Sequence, residues 1–170
     1  MRAAKEAIRL TAEHLKRQQS LVVETTLAGQ QPLRLMTQAR VAGYMVLLAF
    51  IVPNIQDDTR FRIDNRVPEG GHNIPDADLK RREPHILANL PDAIALADLT
   101  AIYVSSTRSQ DFTLEGAVEG SDAQLTANVP QQVRMAISQR FEIQEVTVVG
   151  DDNPVAERFR AQIAWDTGGQ

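Results

Sequence analysis

Apolar positions along this chain change period several times, and each change marks an element. Ala4, Ile8, Ala12 and Leu15 recur at i, i+4, i+8 and i+11, the stripe of a helix over about residues 2–17. Ser20-Leu21-Val22-Val23-Glu24 reads as a short strand. Leu33, Met36 and Arg40 mark a second, weaker helix after Gly29, with Pro32 near its first turn, where a missing amide costs little. Gly43 to Val52 is apolar on both faces, as a central strand covered by helices on both sides would be. Asn54 is placed to cap a third helix, with Asp57 and Asp58 in its first turn and Ile55, Thr59, Ile63 and Val67 as its inner stripe.

Residues 68–73 (Pro-Glu-Gly-Gly-His-Asn) form a loop, and Asp76 then starts a fourth helix with Leu79, Ile86 and Leu90 on its apolar face. Pro84 inside it removes a backbone hydrogen bond and predicts a bend. Leu99 to Val104 is the next strand. Helix and strand patterns alternating at this spacing predict an α/β fold, a parallel sheet flanked by helices. Beyond Ser105 the pattern weakens. Phe112 to Val118 reads as an edge strand, Gln131 to Gln139 as a helix and Val146 to Val149 as a last strand. Residues 151–170 read as a tail in which Asn153 caps a short helix through Phe159 and Trp165 packs. The expected organisation is therefore a main unit over 1–106, its continuation over 107–150, and the tail.

Composition narrows the function classes. The 170 residues suit one domain, and 43% hydrophobic with 24% charged residues is ordinary for a globular chain. Eighteen Lys plus Arg against 22 Asp plus Glu give a net charge of −4, so no overall basic field points to nucleic acid or to an anionic membrane. The longest apolar run, Val41 to Val52, falls short of the ~20 residues of a membrane helix, and no apolar run follows the charged start to suggest a secretory leader. The chain has no cysteine, which excludes disulfides and thiolate chemistry within it and suits the cytoplasm. His14, His72 and His85 lack metal-ligand spacing, so no protein-held metal site of the zinc type is expected.

Two groups of residues carry candidate chemistry. Glu24-Thr25-Thr26 closes the first predicted strand, and open α/β sheets bind ligands beyond the carboxyl ends of their strands. One carboxylate and two hydroxyls there suit a polyhydroxylated substrate; a solvated strand end with a helix cap is the other reading. Arg62, Arg66, Arg81 and Arg82 form the second group. Arg66 ends the third predicted helix and Arg82 lies early in the fourth, so the intervening glycine loop with His72 can bring their guanidiniums together around a phosphate. The alternative is a solvated face with pairs Asp58–Arg62 and Asp78–Arg82.

The order of several short segments resembles the zeta-toxin family of P-loop kinases. These are Val22-Val23-Glu24-Thr25-Thr26-Leu27-Ala28-Gly29, Ala42-Gly43-Tyr44 opening an apolar strand, and Arg66-Val67. Gly70-Gly71-His72, Ile74-Pro75, Leu79, Arg82 and Leu87-Ala88-Asn89-Leu90-Pro91 continue the series, which spans about residues 20–106. The resemblance implies phosphoryl transfer from ATP, with Mg²⁺, to a nucleotide sugar such as UDP-N-acetylglucosamine, and an antitoxin as protein partner. It implies Glu24, Thr25 and Thr26 as sugar-binding residues, Arg66 and Arg82 as catalytic arginines facing the ATP phosphates, and His72 in the nucleotide-binding lid.

The pattern also departs from that family. Tyr103-Val104-Ser105-Ser106 stands where the family has Tyr-Asp-Asn-Ser. Arg81-Arg82-Glu83-Pro84-His85-Ile86 stands for Arg-Arg-Tyr-Pro-Arg-Ser. None of the three lysines, Lys5, Lys16 and Lys80, lies in a G-x-x-x-x-G-K-[ST] loop. The expected fold is thus a P-loop NTPase-like kinase domain without its amino-terminal strand, its phosphate loop and the aspartate segment that carries the family's catalytic base. A non-catalytic remnant that binds a nucleotide sugar or a protein partner is the alternative function.

Overall fold

A computed structural model describes residues 2–53, 76–105, 112–149 and 153–167. In chain order the elements are α1 (Arg2–Lys16), α2 (Gln31–Val41), β1 (Leu47–Pro53), α3 (Asp76–Leu96) and β2 (Leu99–Ser105). They continue as β3 (Phe112–Glu119), β4 (Asp122–Leu125), α4 (Gln131–Ser138), β5 (Glu142–Glu145) and α5 (Pro154–Thr167). The predicted third helix and the loop with His72 lie outside the described residues.

The five strands form one sheet in the order β1-β2-β3-β4-β5. It is mixed rather than parallel: β1 pairs with β2 and β4 with β5 in parallel, but β3 runs against both its neighbours. The reason is local. Gly120, at φ +60°, closes a tight turn between β3 and β4, and only antiparallel strands accept so short a connection. The fold class is α/β, with helices on both faces.

β2 (Leu-Thr-Ala-Ile-Tyr-Val-Ser) occupies an interior position and divides its side chains between two cores. Ile102 joins Val52, Leu90, Ile94, Val118, Leu125 and Ile137 under α2, α3 and α4. Leu99, Ala101 and Tyr103 face Phe159 and Val155 of α5. At the amino edge Asp98 acts as a staple, its side chain accepting from the Val46 amide at 2.7 Å and from Arg40 at 3.1 Å.

Five sequence expectations need correction. The Phe112–Val118 run is no edge strand: as β3 it lies in the middle of the sheet, paired with β2 on one side and with β4 on the other through the tight turn at Gly120. Residues 20–24 form no strand; Val22 is 101% exposed and no strand flanks it among the described residues. The Gly43–Val52 run begins as a strand only at Leu47 and lies at the sheet edge, with Ala49 and Ile51 uncovered, because α5 packs over β2 and β3. The last strand is Glu142–Glu145, not Val146–Val149: three of its four residues are polar, and only Ile143 packs inward, which hides the alternation. The tail is a 14-residue helix whose Phe159 and Ala156 are buried; Asn153 does cap it, accepting from the amides of Val155 at 3.0 Å and Ala156 at 3.3 Å.

α1 ends in a Schellman motif with Gln18 at φ +54°, where Gln19 and Gln18 donate to His14 and Leu15. α2 ends the same way at Gly43, φ +82°, with Tyr44 and Gly43 donating to Ala39 and Arg40. The Tyr44 hydroxyl then lies 3.2–3.3 Å from the carbonyls of His14, Leu15 and Gln19, which fixes the end of α1 beside the start of β1.

Candidate functional site

Strand direction decides where a site can form. β1, β2, β4 and β5 all run one way, so their carboxyl ends share one edge of the sheet. α2 and α3 each lead by a short link into the amino end of a strand, so both helices start toward the carboxyl edge. Cross-links at both ends agree with this. Gln30, at the start of α2, bonds Asn89, while Arg40, in its last turn, bonds the Leu96 carbonyl and Asp98.

The segment with Glu24, Thr25 and Thr26 enters α2 at this edge. All three residues are exposed, and Thr25 Oγ1 accepts from the Leu27 amide at 3.2 Å. Leu27 sits at φ +58° and is buried, a conformation that costs a β-carbon-bearing residue roughly 1–3 kcal/mol. Asn89 of α3 holds it there. Its Nδ2 donates to the Leu27 carbonyl at 2.8 Å and reaches the Gly29 carbonyl at 3.4 Å, while its Oδ1 accepts from Gln30 Nε2 at 2.8 Å. Every polar atom of this buried amide is therefore used, as burial demands.

Arg82 lies seven residues before Asn89 on α3, which is two turns and nearly the same helix face. It is half-buried. The expected Asp78–Arg82 pair is not formed: Asp78 pairs instead with the exposed Arg81 at 2.8 Å. The structure thus ties the loop after Glu24–Thr26 to the helix face that carries Arg82, with no hydrogen bond between Arg82 and Glu24 themselves. Arg62, Arg66 and His72 lie outside the described residues. His14 and His85 are exposed. Among the described residues no cluster of three or more His, Asp or Glu could hold a metal ion, and no helix is long and apolar enough to cross a membrane.

Sequence reasoning missed two further features. Leu27, Gln30 and Asn89 form the joint just described, and a backbone conformation leaves no periodic signal. Glu115, at a bulge opposite Ile102 and Tyr103, is 7% exposed and accepts from the Thr126 hydroxyl and from Asn128 at 3.2 Å. Arg134 donates to the Thr126 carbonyl and to Glu145, both at 2.7 Å, which closes this polar knot at the carboxyl edge. A charged residue within the apolar run Phe112 to Val118 was its one visible sign. A groove of about 310 Å³ between the helices, lined by Leu33, Asp92, Ala95, Leu96 and Arg140, contains none of the predicted site residues.

Comparison of the chain with protein-family models, with curated proteins and with solved structures finds no match.

Proposed function

We propose that this chain binds a nucleotide sugar such as UDP-N-acetylglucosamine at the carboxyl edge of its sheet, as part of a zeta-toxin-like ATP-dependent kinase. The observation that carries this reading is the joint at Leu27. A strained, buried backbone is held by one asparagine, and the exposed Glu24-Thr25-Thr26 segment leads into it beside the helix face of Arg82. Glu24 accepts hydrogen bonds from sugar hydroxyls, and Thr25 and Thr26 offer hydroxyls that donate and accept. Arg82, without an ion-pair partner among the described residues, neutralises phosphate oxygens, for which its planar fork is suited. Arg66 and His72 belong to the same proposal by resemblance alone.

ATP and Mg²⁺ are the implied cofactors, and an antitoxin the implied protein partner, in the cytoplasm where nucleotide sugars are made. The residues at hand do not fit a phosphate-loop role: no lysine stands in a Walker A context, and the described residues form no metal-binding group. The chain's own contribution is therefore substrate binding and charge neutralisation. The second reading is a binding module without catalysis, favoured by Tyr103-Val104 and Glu83 standing where the resembled family has other residues.

Calorimetry with UDP-N-acetylglucosamine tests the shared core of both readings. Glu24→Ala is expected to weaken binding about tenfold, whereas Arg82→Ala leaves affinity for the nucleotide sugar unchanged and reduces only ATP-dependent turnover. No binding by the unsubstituted chain, or equal losses from both variants, overturns the assignment. Phosphorylation of the sugar in the presence of Mg²⁺ and ATP separates the kinase from the binding module.

A further inference from the structure

We propose that Asn89 is a positioning residue for the ligand. It touches no ligand atom, yet it fixes Glu24, Thr25 and Thr26 through Leu27, and affinity at that segment depends on it. This role rests on the nucleotide-sugar reading above and adds the residue that gives it a defined geometry.

Residues 20–26 make no backbone–backbone hydrogen bond among the described residues, and Glu24, Thr25 and Thr26 are exposed. A segment that becomes ordered only when its ligand arrives loses affinity to conformational entropy. Its order must therefore come from the residue it leads into. Two hydrogen bonds in series run from α3 outward to it. Asn89 Nδ2 donates to the Leu27 carbonyl at 2.8 Å, and the Leu27 amide donates to Thr25 Oγ1 at 3.2 Å. The second bond uses one acceptor site of the Thr25 hydroxyl and leaves its proton to donate to a ligand oxygen.

Both bonds depend on the backbone of Leu27, which stands at φ +58°. Leucine prefers negative φ, and a return to helical values is a swing of about 120°. Such a swing turns the Leu27 amide against its carbonyl, so Asn89 and Thr25 cannot both stay bonded to it. Asn89 is the residue that prevents the swing. Its amide is buried and also accepts from Gln30 Nε2 at 2.8 Å, so it has no freedom to turn elsewhere. α3 carries Arg82 seven residues earlier, about 10 Å along the helix axis. The sugar segment and the guanidinium assigned to phosphate are therefore mounted on one helix at a set spacing.

Asn89→Asp isolates the holding bond: it is nearly isosteric and still accepts from Gln30, but it offers the Leu27 carbonyl no donor. Calorimetry with UDP-N-acetylglucosamine is expected to show binding about tenfold weaker. Equal affinity overturns the positioning role alone. No binding by the unsubstituted chain overturns the nucleotide-sugar reading, and with it the role of Asn89 toward the ligand. A rescue separates positioning from plain structural support. Glycine adopts positive φ freely, so Leu27→Gly added to Asn89→Ala is expected to regain about threefold in affinity over Asn89→Ala. Urea unfolding should show the same double variant to be the less stable of the two, since a buried side chain is gone. Affinity that falls in step with stability overturns the role. If the double variant does not fold, the backbone amide resonances of Asn89→Asp decide. Shifts at residues 24–26 larger than those across β2 support the role, and shifts no larger overturn it.

Discussion

β1 and β2 lie side by side, run in the same direction and are made of the same kind of residue, yet they have opposite surroundings. β2 is flanked by strands on both edges, α3 lies on one of its faces and α5 on the other, and six of its seven residues are buried. β1 is paired on one edge only, and the face it shares with Tyr103 leaves Ala49 and Ile51 uncovered. An apolar run therefore reports that a strand can be buried. It does not report how many neighbours the fold will supply.

The largest expected difference comes from truncating one isoleucine on each of the two strands. Ile102→Ala removes a fully buried side chain from the main core and should cost about 3 kcal/mol, whereas Ile51→Ala should change stability by no more than about 0.5 kcal/mol. Urea unfolding of both variants measures this. Similar losses would mean that the outer face of β1 is covered in solution. A second strain on the same core is Gly116→Val. A β-carbon at this position would lie 2.6 Å from Leu125 Cδ2 and 3.1 Å from Ile102, so a loss of about 1–3 kcal/mol is expected.

Next in size is the joint beside β1. Asn89→Ala strands the Leu27 carbonyl and the Gln30 amide, and a cost of about 1–3 kcal/mol is expected, with faster amide exchange confined to residues 24–30. Uniform exchange changes would show that Asn89 supports the whole core instead.

The smallest effect concerns Tyr103, the β2 partner of Ile51. Burial holds its phenol above the ordinary tyrosine range, and the nearby Arg160 charge opposes this only in part. A group whose folded pKa is raised stabilises fully below its unfolded value and loses that contribution as pH climbs through the folded one. Stability should therefore decline above about pH 10, and Tyr103→Phe should remove part of that decline in thermal melts taken from pH 9 to 11.

The helices were the most legible part of the chain. α1, α2 and α3 form where the helical spacing placed them, and Asn153 caps α5 as its position before Pro154 suggests. β2 and β3 were legible as apolar or alternating runs. β5 was not, since an edge strand with one inward side chain carries no period to read. Of the candidate site, Glu24, Thr25 and Thr26 could be named from residue type and position alone, and Arg82 from its helix. The Leu27 conformation could not, because it arises from an asparagine 62 residues away.

What the sequence determined by itself is local: periodicity, capping, turn residues, and the kinds of groups offered to a ligand, because these depend on neighbours within a few residues. What only the tertiary structure decided is which of two similar apolar strands became the centre of the sheet, the reversal of β3, and the pinning of residues 27–30 to α3. These depend on contacts between distant segments, whose free energies are small individually and are settled only when the whole set is made at once.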